Sequence, residues 1–202
     1  MVPELNDNNI KNIVKKIEDN KEKILIRLSD IELGKDMIKK TGVNMNSYNH
    51  LFSLFNDPSF ANILNCNFVD KNGYDIEIDQ KKISIKGMSN LMNKKGESTN
   101  SFNLLHTYKK SSQTALFESL QQNESDYVLL VQTKSPYSVG ITTYNLAKKN
   151  ARLRGGCIQT NILNDDIIWI ISNEMFKKDK IDNKLFENTI LNLIKLTSGN
   201  WD

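Results

Sequence analysis

Residues 73–87 read Gly-Tyr-Asp-Ile-Glu-Ile-Asp-Gln-Lys-Lys-Ile-Ser-Ile-Lys-Gly, and they decide the fold. Isoleucines recur at every second position in two short runs, which is the period of a β-strand with one buried face. The polar residues 79–82 between the runs supply a turn. The stretch therefore predicts a β-hairpin whose apolar face is formed by Ile76, Ile78, Ile83 and Ile85.

The other face of this hairpin carries acids and a lysine. A hairpin closed symmetrically about residues 80–81 pairs Asp75 with Lys86. The same register pairs Glu77 with Ser84, and directly opposite side chains lie about 5 Å apart at Cβ. Asp75 and Glu77 are the predicted metal ligands, because hydrated Mg²⁺ takes one or two carboxylates and keeps several waters. The alternative is an exposed hairpin with a cross-strand ion pair between Asp75 and Lys86.

Asp75, the element Ser84-Ile85-Lys86 and the following Gly87 resemble the motif of the PD-(D/E)xK nuclease superfamily, which includes most type II restriction endonucleases. The resemblance implies that Asp75 and an acid two residues before the lysine bind the metal. It implies that Lys86 positions or activates the attacking water. For the fold, it implies an α/β architecture with a mixed central β-sheet flanked by helices and an αβββαβ core.

Ser84 departs from the family pattern, because an acid is expected at its position. A Ser-x-Lys variant occurs in one branch of restriction enzymes, where a glutamate elsewhere replaces the missing carboxylate. Glu77 is the candidate here, since the predicted register places it opposite Ser84. Glu97 and Glu118 are the alternatives. The predicted catalytic set is Asp75, Lys86, Glu77 and Ser84.

Length and composition indicate a globular protein of ordinary domain size. The chain has 202 residues, of which 25% are charged and 39% hydrophobic, and no apolar run approaches the roughly 18 residues of a membrane span. Its formal net charge of +3 permits nucleic-acid binding without requiring it. Only two cysteines are present, Cys66 and Cys157, which suits a reducing compartment. Since no signal peptide is visible, we expect a cytoplasmic protein.

Residues 1–60 predict a helical N-terminal region, and residues 61–202 the α/β nuclease core. Apolar residues at helical spacing predict an amphipathic helix over 8–28. Residues 35–52 have the spacing of a helix-turn-helix with Gly42 in the turn, although a plain pair of helices has the same pattern. A recognition helix there would present three side chains to DNA, which are Ser47, Asn49 and His50.

Downstream of the hairpin, residues 91–101 predict a polar loop and residues 102–122 a helix. The apolar run 127–131 predicts a buried strand, so hairpin, helix and strand imply a crossover onto the same sheet. The first half of the helix would approach a bound phosphate. It carries His106, Lys109, Lys110 and Gln113, of which the two lysines are predicted DNA contacts.

The last third of the chain predicts three further strands, over 138–144, 157–162 and 167–171, with a turn at 164–165. A closing helix is predicted over 183–197, which would pack on the core or form a dimer face.

A basic segment lies between the first two of these strands. It contains Lys148, Lys149, Arg152 and Arg154 and runs into two glycines. Such a flexible segment suits contact with a phosphate backbone, and Arg152 and Arg154 could pair with guanine edges. A solvated basic helix end with a glycine stop is the alternative.

Other hydrolytic and nucleotide chemistries lack their motifs. The sequence has no Gly-rich phosphate loop, no His-Glu-x-x-His and no Gly-x-Ser-x-Gly. The prediction is a Mg²⁺-dependent DNA endonuclease of the type II restriction class that hydrolyses phosphodiester bonds at a specific short site in double-stranded DNA. If that site is palindromic, a homodimer is expected. The alternatives are a non-catalytic helix-turn-helix DNA-binding regulator and a structure-specific repair nuclease.

Overall fold

The computed structural model describes residues 8–40, 58–71, 73–92, 98–106, 113–154 and 157–176. Within these ranges the helices are α1 (Asn8–Glu18), α2 (Lys21–Lys40), α3 (58–63), α4 (Gln113–Gln122) and α5 (Tyr144–Lys149). The strands are β1 (Asn67–Lys71), β2 (Tyr74–Ile78), β3 (Lys81–Met92), β4 (Ser98–His106), β5 (Tyr127–Gln132), β6 (Tyr137–Thr143), β7 (Ala151–Arg154), β8 (Cys157–Leu163) and β9 (Ile168–Glu174).

The nine described strands form one mixed sheet, so the predicted mixed α/β fold is confirmed. The sheet runs in the order β7–β8–β4–β3–β5–β6–β9, and β2, with β1 beside it, also pairs with β3. β3 and β5 are parallel, whereas the other described pairs are antiparallel. A parallel pair needs a crossover connection, and α4 lies within it as the sequence predicts.

Helices pack on both faces of this sheet. On the α1–α2 face, residues of the first three helices share a hydrophobic cluster with β2, β3, β5, β6 and β9. On the α4–α5 face, Leu120 and Ala147 pack with residues of β3, β4, β5 and β8. Side chains of β5 alternate between the two faces of the sheet. Leu129 belongs to the cluster on the α1–α2 face, and Val128 and Leu130 belong to the cluster on the α4–α5 face.

The predicted hairpin is present as β2 and β3, but its predicted turn is wrong by one residue. The turn residues are Asp79 and Gln80, with φ values of 50° and 63°. Ile78 pairs with Lys81 immediately outside the turn. Two consecutive positive φ values are the geometry of a type I′ turn, whose twist matches that of the flanking strands.

The shorter turn shifts the pairing register by two residues from the prediction. Glu77 lies opposite Lys82 rather than opposite Ser84. The same shift brings Asp75 opposite the Ser84 region of β3 rather than opposite Lys86. A shift of two residues leaves every side chain on its predicted face, so the isoleucine pattern alone could not distinguish the two registers.

The prediction for residues 91–122 is wrong in part. β3 continues to Met92 and β4 begins at Ser98, so much of the expected loop is strand. The expected helix over 102–122 begins only at Gln113, and residues 102–106 belong to β4. Because β4 pairs with both β3 and β8, tertiary pairing overrides a leucine spacing that also fits a helix.

The helix predicted over 8–28 is two helices, since α1 ends at Glu18 and α2 begins at Lys21. The helix-turn-helix around Gly42 lies mostly outside the described residues, and so does the closing helix over 183–197. In the part of the chain that the structure describes, no helix is both long and apolar enough to span a membrane.

The three C-terminal strands are confirmed as β6, β8 and β9, with a 3₁₀ turn at Asn164–Asp166 between the last two. The basic segment that precedes β8, for which the sequence predicts no helix or strand, forms regular secondary structure over most of its described residues. Residues 144–149 form α5, and Arg152 and Arg154 lie on β7, an edge strand of the described sheet.

Candidate active site

The carboxylate of Asp75 connects β2 to β3. Its Oδ2 atom accepts a hydrogen bond of 2.6 Å from the backbone N–H of Ile85 and one of 3.2 Å from the hydroxyl of Ser84. Nζ of Lys86 lies 3.9 Å from the same oxygen. Three of the four predicted catalytic residues, Asp75, Ser84 and Lys86, therefore meet at one carboxylate oxygen, and we call them the Asp75 cluster.

The cluster forms where β2 and β3 stop pairing. The ladder between these strands ends with Ile76 opposite Ile83. Residues 84–87 of β3 pair with β5, and no other described strand pairs with them. The Ile85 N–H thus has no carbonyl partner from β2, and the Asp75 carboxylate takes that place.

The cluster combines a shielded hydroxyl with two charged groups that reach water. Ser84 is 1% exposed, whereas the side chains of Asp75 and Lys86 are 24% and 25% exposed. Ser84 and Lys86 pair with Val128 and Leu130, which places the cluster on the α4–α5 face. A partly buried charge pair is screened less by salt than a fully exposed pair, so salt should weaken the attraction between this carboxylate and ammonium only in part.

Asp75 could serve as the first ligand of a divalent cation. The two hydrogen bonds and the ion pair that Asp75 makes with described residues all involve Oδ2, which leaves Oδ1 for a cation. Glu77 lies two residues further along β2, partly exposed and on the same face, roughly 7 Å away by the strand rise. Mg²⁺ needs only one or two carboxylates, so the absence of a group of three or more His, Cys, Asp or Glu side chains among the described residues is compatible with it.

The second carboxylate is less well defined than the first. The register that placed Glu77 opposite Ser84 is wrong, and Glu77 instead faces Lys82. Glu118 lies exposed on α4, and Glu97 lies outside the described residues. Glu77, Glu97 and Glu118 therefore all remain candidates for the second carboxylate ligand. Of these, Glu77 shares a strand face with Asp75.

The backbone next to Lys86 is open to an approaching ligand. Gly87 is exposed, and a Cβ atom built at this position would meet nothing within 4 Å. The folded chain therefore does not need a glycine here for its own packing. A glycine that packing does not require is often found where another molecule comes close to the backbone.

The start of β2 is held by hydrogen bonds from the segment between α4 and β5. Gly73 has a φ of 119°, a conformation that other residues rarely adopt. Its carbonyl oxygen accepts hydrogen bonds from Nδ2 of Asn123 at 3.0 Å and from the hydroxyl of Ser125. These contacts hold β2 in the position from which Asp75 reaches β3.

The structure does not bring Arg152 and Arg154 to the Asp75 cluster. Both side chains are exposed and alternate with Leu153, which packs against the cluster of the α4–α5 face. They therefore point to the α1–α2 side of the sheet. Lys86 lies on the other side, so the arginines and the candidate active site occupy opposite faces.

The arginines instead line a concavity with a volume of about 480 Å³, together with residues that carry no functional motif in the sequence. The most informative of these are Gln159 and Asn161 on β8. Their alternation with buried Ile158, Thr160 and Ile162 was visible as a strand signal, but which strand lies beside β8 was not.

The other predicted DNA contacts are not placed by the structure. Ser47, Asn49, His50, Lys109 and Lys110 all lie outside the described residues. His106, expected on a helix, is the last residue of β4.

No family model, no curated protein and no solved structure matches this chain.

Proposed function

We propose that this protein is a Mg²⁺-dependent endonuclease that hydrolyses phosphodiester bonds in double-stranded DNA. The observation that carries the proposal is the convergence of the Ser84 hydroxyl, the Ile85 N–H and the Lys86 ammonium on one oxygen of Asp75. This convergence holds the carboxylate in one orientation, as a reactive site requires. It agrees with the roles that the PD-(D/E)xK resemblance implies for Asp75 and Lys86.

The strand order supports the same proposal. β1, β2 and β3 form an antiparallel meander, and α4 leads to β5, which is parallel to β3. With a helix of the N-terminal region in front, this sequence of elements corresponds to an αβββαβ core. β4 would then be an insertion between β3 and α4.

Lys86 is the residue for which the geometry suggests the most direct role. Its ammonium group lies 3.9 Å from Oδ2 of Asp75, and the lysine side chain is 25% exposed, so the ammonium can contact both the carboxylate and a solvent molecule. It would hold the attacking water by a hydrogen bond and offset negative charge that develops on the phosphate. Ser84, which is uncharged, would orient Asp75 without binding the cation.

Mg²⁺ would be held by Oδ1 of Asp75 and by one of the three candidate glutamates, Glu77, Glu97 or Glu118. When bound, such an ion stabilises charge on a phosphoryl oxygen and lowers the pKa of a water molecule. Asp75 would contribute a carboxylate already oriented by Ser84 and Ile85, so that little reorganisation is needed on binding.

The decisive experiment is incubation of plasmid DNA with the full-length protein in Mg²⁺, with Ca²⁺ as the non-catalytic cation. Cleavage is expected with Mg²⁺ and should be lost in Asp75→Asn and Lys86→Ala, while DNA binding in Ca²⁺ is largely retained. Asp79→Asn and Lys81→Ala are matched controls, because both residues lie on the same hairpin outside the cluster. Normal turnover in Asp75→Asn or Lys86→Ala would refute the site.

The cleavage pattern distinguishes the restriction class from its alternatives. A type II restriction enzyme gives discrete fragments and, for a palindromic site, is expected to be a dimer in solution. Preferred cutting of branched or damaged duplexes would indicate a repair nuclease. Sequence-specific binding without cutting in Mg²⁺ would indicate the regulator.

A further inference from the structure

The outer strands of the sheet carry a second polar surface, which we call the β7–β8 concavity. It has a volume of about 480 Å³ and is lined by Thr99, Asn150, Arg152, Leu153, Arg154, Gln159, Asn161 and Leu163. This volume is within the usual range of small-molecule sites, which is roughly 300–1,000 Å³. Apart from Asn150, which follows α5, the lining residues come from three adjacent strands, β4, β7 and β8, whose register fixes their positions.

The concavity has a positive end. Arg152 and Arg154 are both exposed on β7, and the described lining includes no acidic residue. Arg154 donates a hydrogen bond of 3.3 Å to Oε1 of Gln159, while the Arg152 guanidinium makes no hydrogen bond or ion pair with a described residue. Guanidinium groups bind phosphate oxygens in pairs of parallel hydrogen bonds, so two adjacent arginines favour a phosphate group.

Beyond the arginines lie side chains that can read the edge of a ring. Gln159 lies directly opposite Arg152 in the register of β7 and β8, and Asn161 is two residues further along β8. Each amide carries both donors and acceptors, which is what a nucleobase edge requires. Exposed Leu163 adds an apolar wall against which a planar ring can lie.

The concavity is separate from the Asp75 cluster. Gln159 and Asn161 alternate with Ile158 and Ile162, which belong to the core of the α4–α5 face. The concavity therefore opens on the opposite side of the sheet from Lys86. A ligand bound here does not occupy the position of the scissile phosphate.

We propose that the β7–β8 concavity is a nucleotide-binding site, in which Arg152 and Arg154 hold the phosphate and Gln159 and Asn161 contact the base. The proposal does not depend on nuclease activity, because no residue of the Asp75 cluster takes part in it.

The test is calorimetric titration of the full-length protein with the four 5′-nucleoside monophosphates, with their nucleosides and with inorganic phosphate. At least one nucleotide is expected to bind at least tenfold more tightly than phosphate and than its own nucleoside, because each of these lacks half of the contacts. Equal affinity for phosphate would reduce the concavity to an anion site and overturn the proposal. Binding only of a duplex oligonucleotide would also overturn it, in favour of a DNA-contacting surface, and so would absence of all binding.

Variants locate the binding. Replacing both arginines by glutamine should weaken nucleotide binding at least tenfold and leave the circular dichroism spectrum unchanged. Gln159→Leu or Asn161→Leu should change the ranking among the four bases. Lys149→Gln, an exposed charge on α5 outside the lining, and Lys86→Ala on the opposite face are the controls and should bind as the wild type does. Unchanged affinity in the double arginine variant would place the ligand elsewhere.

Discussion

The Asp75 carboxylate lies 2.6 Å from the backbone nitrogen of Ile85, so a side chain of β2 acts as the hydrogen-bond partner of β3 where the backbone ladder has ended. The bond fixes the carboxylate at the open end of the hairpin. It also gives Asp75 two separable roles, as a charge and as a hydrogen-bond acceptor.

Asparagine and alanine at position 75 should separate these roles. Asp75→Asn keeps an oxygen for the Ile85 N–H and removes the charge, so cleavage should be lost with little change in stability. Asp75→Ala also removes the acceptor and should cost about 1 kcal/mol more in the free energy of unfolding. Urea denaturation of both variants, beside a plasmid cleavage assay, measures the two effects. Equal stability of both variants would mean that the Ile85 hydrogen bond does not support the fold.

The second carboxylate can be found by ranking three substitutions. Glu77→Gln should reduce cleavage more than Glu118→Gln, because Glu77 shares a strand face with Asp75 and Glu118 is exposed on α4. Glu97→Gln is the third member of the series. The readout is the cleavage rate as a function of Mg²⁺ concentration, since loss of a ligand should raise the concentration required. A larger effect at Glu97 or Glu118 would move the ligand away from the hairpin.

Two glycines provide a matched comparison of packing and function. At Gly140 a Cβ atom would lie 2.5 Å from Cγ2 of Ile167, so Gly140→Ala should destabilise the protein by about 1–3 kcal/mol. At Gly87 a Cβ would meet nothing within 4 Å, so Gly87→Ala should fold with wild-type stability. If a phosphate approaches this backbone, Gly87→Ala should nevertheless cleave DNA more slowly. Thermal unfolding and cleavage rates test both, and full activity of Gly87→Ala would exclude a close approach there.

Two buried tyrosines should respond oppositely to loss of their hydroxyl groups. Tyr137 donates a 2.5 Å hydrogen bond to Glu32, so Tyr137→Phe should cost about 1.5–3 kcal/mol. The Tyr144 hydroxyl is buried and has no hydrogen-bond partner among the described residues, so Tyr144→Phe should be neutral or stabilising by about 1 kcal/mol. Denaturant unfolding at neutral pH is the measurement. Destabilisation by Tyr144→Phe would indicate a partner for that hydroxyl.

The same tyrosines predict a loss of stability in alkali. Burial raises the pKa of both hydroxyl groups, and at Tyr137 the hydrogen bond to Glu32 raises it further. The folded protein therefore keeps these protons at pH values where the unfolded chain, with an ordinary tyrosine pKa of about 10, has released them. Their contribution is complete below about pH 10 and is lost as the pH rises through the folded-state values. Tyr144→Phe should show a shallower decline above pH 10 than the wild type, and an equally steep one would contradict this assignment.

The hairpin illustrates what the sequence could predict and what it could not. Alternation of Ile76, Ile78 and Ile83 was sufficient to place Asp75, Ser84 and Lys86 on one face. It could not determine the register, because the two pairings differ by an even number of residues. The choice depends on positive φ angles at Asp79 and Gln80, and this dipeptide is not one of the Asn-Gly or Asp-Gly pairs that predict such a turn.

β4 and the β7–β8 concavity were missed for a different reason. The segment from Ser98 to Asn103 contains one large apolar residue, Phe102, so its sequence shows no amphipathic period. It forms a strand because β3 and β8 pair with it on either side. In the sequence, Gln159 and Asn161 look like ordinary solvent-facing positions of a strand. They line the concavity only because β7 pairs with β8. Both features depend on contacts between residues distant in sequence, which local periodicity does not contain.

The hydrophobic cluster on the α1–α2 face has a consequence for chimeric proteins. Ile13 and Leu28 lie in the same cluster as Ile83 and Leu129, so the sheet that carries Asp75 is covered by helices from the beginning of the chain. Residues 10–31 therefore cannot be exchanged independently of the sheet. A segment grafted from another protein would have to preserve this apolar interface, and a graft that did not preserve it should misfold.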